Sequence, residues 1–222
     1  VYVDDIRLSK GGSTPGLVAH WEFEEGSGDT ASDSAGSNDG TVMGASWVPG
    51  KIGTALRFDG MNDYVDCGSS ASLNPSEMTV SLWVSAEGWT TYRYVLGKAQ
   101  NLYSSDYTFA TQGEGKLEFS FSQGVGSRAT VRSEEGLPLG EWVHVGATRD
   151  GGTASLYMNG QLQSTATYSV AVTDNGYGLR IGSIGMAAPE WAGFFGGKID
   201  DVRIYDEALA PEQIEELAEG SL

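Results

Sequence analysis

Residues 78–86 read Met-Thr-Val-Ser-Leu-Trp-Val-Ser-Ala, with an apolar side chain at every second position of the stretch. A period of two is typical of a β-strand with one buried face, because successive side chains point to opposite faces. Similar alternation appears at residues 117–121, 143–147 and 154–158. Asn159-Gly160 follows the last of these directly and predicts a type I′ hairpin turn. The four stretches together predict an all-β fold.

Turn signals recur along the rest of the chain. Asp59-Gly60 and Asp150-Gly151 each separate two apolar runs. Glycine accounts for 32 of the 222 residues, about twice its usual share of ~7%. About a dozen strands at this spacing fit two stacked antiparallel sheets, a β-sandwich of the jelly-roll kind. One short C-terminal helix is predicted, because Pro211 suits a first helical turn and Ile214 and Leu217 share one face.

The chain is strongly acidic. Its 13 Lys and Arg residues against 30 Asp and Glu residues give a net charge of −17, with a pI near 4.3. Such a surface repels nucleic acid and anionic membranes, so neither is expected as a partner. A single cysteine, Cys67, excludes an internal disulfide and a cysteine-based zinc site. Carboxylate oxygens are abundant, and the hard cation that they suit is calcium.

The opening residues suggest a boundary between modules. Residues 4–8, Asp-Asp-Ile-Arg-Leu, echo residues 200–204, Asp-Asp-Val-Arg-Ile, which lie in a late predicted strand. Residues 9–16 have the composition of a linker. We interpret residues 1–16 as the tail of a preceding module plus a linker, and residues 17–222 as the sandwich domain. The alternative, that the opening stretch is the first strand of this same domain, stays open here.

Five segments resemble, in their order along the chain, the laminin G-like, concanavalin A-like jelly-roll superfamily in its bacterial, pentraxin-like branch. They are Leu-Val-Ala-His-Trp-Glu-Phe (17–23), Ala-Leu-Arg-Phe-Asp-Gly (55–60), Met-Thr-Val-Ser-Leu-Trp-Val (78–84), Glu-Trp-Val-His-Val (141–145) and Lys-Ile-Asp-Asp-Val-Arg-Ile-Tyr (198–205). The resemblance implies a carbohydrate- or protein-binding module, often appended to secreted polysaccharide-degrading enzymes. It also implies one structural calcium ion.

Acidic residues near the predicted first and last strands are the candidate calcium ligands. Calcium takes about six to eight oxygens from carboxylates and carbonyls. Asp200 ranks first, because an adjacent pair of aspartates inside an apolar strand sends one carboxylate inward, where it requires a partner. The alternative is that these residues only cap turns or face solvent. The predicted set is Glu22, Glu24, Asp59, Asp63 and Asp200.

Aromatic residues in loop-like stretches predict a sugar site. Sugars stack their apolar C–H faces on aromatic rings, while a few polar side chains bind their hydroxyls. Trp89 and Trp191 are the strongest candidates for stacking, unless each packs over an edge of the sandwich. The predicted ligand-binding set is Trp89, Tyr92, Arg93, Tyr103, Tyr107, Gln112, Arg128, Arg132 and Trp191.

Catalysis is not predicted. The Glu-x-Asp-x-(x)-Glu spacing of glycosidases with a concanavalin A-like fold does not occur, and catalytic carboxyl pairs must lie about 5 to 9.5 Å apart. His20 and His144 lie within the fold motifs and are interpreted as satisfied strand residues. The resemblance therefore implies a secreted or cell-surface module that binds a polysaccharide for another module of the same polypeptide, and the net charge favours a neutral polysaccharide over an anionic one. A protein-interaction or adhesion module without sugar affinity is the alternative, ahead of a glycoside hydrolase or polysaccharide lyase.

Overall fold

Two antiparallel β-sheets face each other, and a C-terminal helix lies on the outer face of one of them. The computed structural model describes residues 16–88, 92–101, 104–122, 128–168, 174–185 and 193–220. This architecture confirms the predicted all-β sandwich with one short helix. Residues 1–15 lie outside the described ranges, so the module boundary in the opening stretch stays a prediction.

Sixteen strands and helix α1 (Pro211–Glu219) are found within the described residues. The strands are β1 (Leu17–Trp21), β2 (Thr30–Ala31), β3 (Gly40–Met43), β4 (Ser46–Pro49), β5 (Thr54–Asp59), β6 (Tyr64–Asp66), β7 (Met78–Ala86), β8 (Arg93–Asn101), β9 (Ser104–Gln112), β10 (Lys116–Ser122), β11 (Arg128–Gly136), β12 (Val143–Arg149), β13 (Thr153–Met158), β14 (Gln161–Thr167), β15 (Leu179–Ile181) and β16 (Gly196–Tyr205). Short 3₁₀ turns span Ala71–Leu73 and Gly113–Gly115.

Each sheet has eight strands in the described part of the chain. Sheet I runs β14-β13-β12-β7-β16-β5-β4, with β1 paired to β16 beside this path. Sheet II runs β11-β10-β9-β8-β15-β6-β3-β2. The first strand, β1, pairs directly with the last strand, β16, and His20 opposes Arg203. Residues distant in sequence therefore meet on the outer faces of both sheets.

Aromatic and branched side chains from both sheets fill the space between them. Val80 and Leu82 of β7 and Phe109 and Phe119 of sheet II are all fully buried in one continuous cluster. Each side chain of this size contributes about 1.5–3 kcal/mol when it is removed from water. This core holds the two sheets together and leaves their outer faces free for polar residues.

Strand β7 is buried on both faces, whereas the alternation predicted one buried face. On its outer face, Thr79 Oγ1 donates to the carbonyl of Glu207 and accepts from the backbone of Leu209. Further along the strand, the ammonium of Lys51 lies 4.3 Å from the ring centroid of Trp83. Segments distant in sequence cover this face, so the local pattern did not reveal its burial.

Local signals predicted the hairpin and the helix correctly. Asn159 and Gly160 have φ values of 47° and 77° and join β13 to β14, as the type I′ turn requires. Ile214 of α1 is buried in a small cluster with Tyr157 and Tyr205, so the helix packs on the outer face of sheet I. In the part of the chain that the structure describes, no helix is both long and apolar enough to cross a membrane.

Candidate functional site

A buried glutamate organises one part of the outer face of sheet II. Glu118 is 1% exposed, although strand alternation directs its side chain away from the core. Its Oε2 accepts from Arg132 Nε at 2.8 Å and from Gln112 Nε2 at 2.6 Å. Its Oε1 accepts from Ser120 Oγ at 2.9 Å and from an Arg128 guanidinium nitrogen at 3.3 Å. Four donors compensate for the cost of burying a carboxylate.

Strand register explains why these side chains converge. Glu118 pairs with Ala110 on one side and with Arg132 on the other. Ala110 in turn pairs with Tyr94 of β8. Directly paired residues point to the same face of a sheet, so one row crosses four strands. We call this surface the Glu118 platform, and it consists of Tyr92, Tyr94, Gln112, Glu118, Arg128 and Arg132.

Two tyrosines form one side of the Glu118 platform. The rings of Tyr92 and Tyr94 are tilted by 31°, with centroids 6.3 Å apart. The Tyr92 hydroxyl contacts Gln112 Nε2. The backbone of Tyr92 has a φ of 50°, a conformation that costs a non-glycine residue about 1–3 kcal/mol. Tyr94 is 2% exposed, and its buried hydroxyl has no hydrogen-bond partner among the described residues. Burial raises the pKa of Tyr94, so this hydroxyl keeps its proton.

The Glu118 platform unites four residues of the predicted ligand-binding set, namely Tyr92, Gln112, Arg128 and Arg132. Arg93 neighbours them in sequence, but alternation along β8 directs its side chain to the opposite face from Tyr94. Tyr107 is fully buried in the core and donates its hydroxyl to the carbonyl of Leu73 at 2.8 Å. Tyr107 is therefore a core residue and is not accessible to a sugar. Trp89, Tyr103 and Trp191 lie outside the described residues.

Sequence reasoning missed Glu118 and Tyr94. The alternation of residues 116–122 placed Glu118 on the outer face, but a glutamate on such a face is usually solvated. Its burial depends on Arg132 and Gln112, which come from the two neighbouring strands. The available signal was a carboxylate in the middle of an aromatic-rich strand, where burial calls for cationic partners.

The adjacent aspartates of β16 are accommodated by a β-bulge. The register shifts between Asp200 and Arg203, and Asp201 has a φ of 51°. Asp201 Oδ1 lies 2.6 Å from His20 Nε2 and 3.1 Å from Arg203 Nε, on the outer face of sheet I. Asp200 accepts a hydrogen bond from the backbone N–H of Lys51, in the loop between β4 and β5. Asp200 is buried, as expected for one carboxylate of the pair, but the bulge lets both carboxylates lie on the outer face of sheet I rather than in the core between the sheets.

Asp200 is nevertheless fully buried beneath the loop of residues 50–54. Its Oδ2 accepts from the backbone N–H groups of Lys51 and Ile52 at 2.8 and 2.9 Å. Its Oδ1 has no hydrogen-bond partner in the described part of the chain. Burial raises the pKa of Asp200 to about 6. A buried carboxylate with one free oxygen is a suitable cation ligand.

Oxygen atoms converge beside Gly50 in the same loop. A methyl group on Gly50 would lie 2.6 Å from both Asp200 Oδ2 and the Thr54 carbonyl oxygen, and 2.7 Å from the Ile52 carbonyl oxygen. These three oxygens therefore cluster around one point beside Gly50, where no side chain fits. Glu24 reaches this loop from the other side, where its Oε1 accepts from Thr54 N at 3.1 Å. Asp200, Glu24 and the loop carbonyls are all oxygen donors, the type that calcium prefers.

The other predicted calcium ligands lie apart from this loop. The Glu22 carboxylate is 3.5 Å from His20 Nδ1. Asp63 Oδ2 accepts from the backbone of Asp59, whose own Oδ1 accepts from Met61 N, so these two stabilise a turn after β5. Within the described ranges, no three acidic, histidine or cysteine side chains come together as a metal site. A cation at Gly50 would thus depend on carbonyl oxygens.

Comparisons with known proteins agree with this architecture. The family model described as the concanavalin A-like lectin/glucanases superfamily matches residues 59–215. Domain 4 of AbnA, a GH43 extracellular arabinanase from Geobacillus stearothermophilus, has been solved in complex with arabinotriose. It is 25% identical to this chain, with a TM-score of 0.76, over 93% of this chain and 100% of that one.

Two further structures show the same fold at lower identity. The binding domain of Paraclostridial Mosquitocidal Protein 1 is 17% identical with a TM-score of 0.75, over 93% of this chain and 52% of that one. The receptor-binding domain of botulinum neurotoxin type G is 13% identical with a TM-score of 0.68, over 93% of this chain and 51% of that one. No curated protein matches the chain by sequence.

Proposed function

The chain belongs to the concanavalin A-like lectin/glucanases superfamily, and from this premise we propose that it is a non-catalytic module that binds an oligosaccharide or polysaccharide. One observation carries the proposal: the chain matches an arabinotriose-bound domain over that domain's whole length at 25% identity. Fold alone does not define function, so the outer face of sheet II supplies the second support.

The Glu118 platform has the chemistry of a sugar site. Arg132 has 56% of its side chain exposed and Arg128 has 24% exposed, while Glu118 fixes both guanidinium groups from below. The exposed N–H groups of Arg132 are donors for sugar hydroxyls, and the Tyr92 ring lies beside this guanidinium for stacking. Because Glu118 holds these donors in place before a ligand arrives, binding costs less conformational entropy.

The same geometry supports binding rather than hydrolysis. Both oxygens of Glu118 accept hydrogen bonds from the protein itself, four in all, so neither oxygen is left to contact the reacting atoms of a substrate. Asp106, on the neighbouring strand, is four residues from the residue that pairs with Glu118, about 13 Å at ~3.3 Å per residue. Catalytic carboxyls of glycosidases lie within about 9.5 Å of each other.

We extend the proposal to the setting and the cation. The arabinanase whose domain resembles this chain is extracellular, which supports a secreted polypeptide in which this module serves a partner module. We also propose a structural calcium ion held by Asp200 and by backbone carbonyl oxygens of the loop of residues 50–54, with Glu24 on the same loop as a further candidate ligand. Such an ion would bind the Asp200 carboxylate and tie β16 to this loop.

Affinity electrophoresis tests the binding proposal. We expect gels that contain arabinan or another neutral polysaccharide to retard the wild-type module. Arg132→Gln removes one charge-assisted donor, so the affinity falls by about tenfold. The variant also loses a cationic partner of the buried Glu118 carboxylate, so its melting temperature should fall, and the two affinities are compared at a temperature at which both proteins are folded.

Arg57→Gln is the matched control for this experiment. Arg57 is exposed to a similar extent as Arg132 and pairs with Glu87 at 2.6 Å, but it lies on sheet I. Its loss should not change retardation. If no neutral polysaccharide retards the wild-type protein, the binding proposal is wrong and a protein-interaction module becomes the better hypothesis.

A further inference from the structure

One row of paired residues crosses almost the whole outer face of sheet II. Each member of the row pairs directly with the next, so all lie on one face. All members but one are polar, and the exception is a glycine. In order from β3 to β11 they are Thr41, Asp66, Arg180, Gly97, Thr108, Ser120 and Thr130. This polar row extends beyond the Glu118 platform, which lies only at β8 to β11.

A short segment divides this row into two parts. Residues 182–185 cross β8, because Gly182 N donates to the carbonyl of Val95 and Gly185 N donates to that of Ala99. Ile184 lies directly over Gly97, where an added methyl group would come within 2.6 Å of its Cγ2 atom. The glycine permits this close approach. The Glu118 platform lies on one side of the resulting ridge.

An open cleft lies on the other side of the ridge. It has a volume of about 650 Å³ and is lined by Thr41, Tyr64 and Asp66 among others. A smaller cavity of about 340 Å³, lined by Tyr177 and Arg180, shares Asp66 with it. We call the two together the Asp66 cleft. Sites for small ligands commonly measure about 300–1,000 Å³, so the Asp66 cleft has room for a short oligosaccharide.

Three side chains form the floor of the Asp66 cleft. The Arg180 guanidinium lies 4.2 Å from the ring centroid of Tyr64 and 3.9 Å from the Asp66 carboxylate. The side chain of Asp66 is 45% exposed and that of Arg180 is 25% exposed. A donor and an acceptor thus stand side by side, accessible to solvent, and the aromatic ring holds the guanidinium in one plane.

A buried ion pair fixes the wall of the Asp66 cleft. Lys98 and Asp106 are fully buried and 3.0 Å apart, and Lys98 Nζ also donates to Asp174 at 3.0 Å. Asp106 Oδ1 accepts two hydrogen bonds from Asn175, one from its backbone and one from its side chain. These contacts anchor the segment that carries Tyr177. The wall is therefore held in place without a ligand, which lowers the entropic cost of binding.

We propose that the Asp66 cleft is a second sugar site, specific for an uncharged oligosaccharide whose neighbouring hydroxyls bridge Asp66 and Arg180. The inference rests on the proposed function and adds a site on the far side of the ridge. The carboxylate accepts from one hydroxyl while the guanidinium donates to the next. Asp66 and Arg180 cancel in charge, and Asp39 adds a negative charge to the lining, so an anionic sugar is excluded.

Isothermal titration calorimetry with arabinotriose, beside gels that contain arabinan, tests the proposal. We expect two sites in the wild-type protein. Asp66→Asn and Arg180→Gln should each weaken one site at least tenfold and leave the other unchanged. The asparagine keeps the oxygen that accepts from Gly68 N, so the adjacent turn is retained. Thr41→Trp fills the cleft from an exposed strand position and removes no side-chain contact, which keeps the test valid if the other variants fold poorly.

The outcomes separate this inference from the proposed function. Arg132→Gln should weaken only the Glu118 platform, and Arg57→Gln on sheet I should change neither site. Binding with wild-type stoichiometry and affinity by all three cleft variants would overturn the second site while the proposed function stands. Loss of all binding in Asp66→Asn, with Arg132→Gln unaffected, would place the sugar site in the Asp66 cleft instead of the platform. A wild-type protein that binds no glycan would refute both.

Discussion

His144 shows how a single residue can make stability depend on pH. The side chain is 1% exposed, its Nε2 lies 2.8 Å from Ser81 Oγ, and its ring packs edge-on to Trp83 at 5.4 Å. Its Nδ1 has no hydrogen-bond partner within the ranges that the structure describes. Burial lowers the pKa of His144 to about 4. His144 lies in strand β12, as its motif predicted, but only one of its two ring nitrogens has a hydrogen-bond partner among the described residues.

The neutral form of His144 should stabilise the fold above its ordinary pKa of 6.5. As the pH falls from about 6.5 to about 4, the unfolded chain takes up a proton that the folded protein refuses. The free energy of unfolding therefore falls by up to about 3 kcal/mol over this window. His144→Gln keeps a polar group for Ser81 but does not titrate, so its stability should fall less steeply. Urea unfolding of both proteins between pH 4 and 7 measures the difference, and parallel pH profiles would contradict this account.

Among the strands and turns, the sequence predicted those features whose conformation depends only on residues that are close in sequence. The Asn159-Gly160 turn adopts the predicted conformation because asparagine and glycine adopt positive φ more readily than other residues. The bulge of β16 could not be predicted in the same way. Asp201 adopts positive φ while it contacts His20, which is 181 residues away in sequence. The Glu118 platform is similar, since the sequence identified four of its members but not the glutamate that orients them.

The loop of residues 50–54 and strand β16 should respond together to calcium. An ion that binds only the folded protein at a hundred times its Kd adds about 2.7 kcal/mol of stability. For a domain of this size that corresponds to a shift of about 5–10 °C in the melting temperature. We expect EDTA to lower the melting temperature by this amount and added calcium to restore it. Asp200→Asn should abolish the response, whereas Asp59→Asn should preserve it because Asp59 lies in another turn. Equal melting temperatures of the wild type in EDTA and calcium would disprove the site.

Over the whole molecule, charge and topology act together on ligand choice. The chain carries −17, yet Arg128, Arg132 and Arg180 all face the outer side of sheet II, each within 4 Å of a carboxylate. That face is therefore hydrogen-bonding rather than strongly positive. Composition alone indicated a neutral ligand. The sequence did not reveal that Arg180 lies beside Asp66, because β15 lies between β6 and β8, and both of these strands are more than 75 residues away in sequence.

Salt dependence should distinguish neutral from anionic ligands for the whole module. Raising NaCl from about 20 to about 500 mM shortens the range of electrostatic forces several-fold. Binding of neutral arabinan relies on short hydrogen bonds and stacking, so its affinity should stay within about twofold across this range. Alginate, a polyanion, should not bind at low salt, because the net charge of −17 repels it. Affinity gels run at both salt concentrations measure this directly. Tight alginate binding at low salt that weakens steeply with added NaCl would show instead that the paired arginines of sheet II recognise anionic sugars.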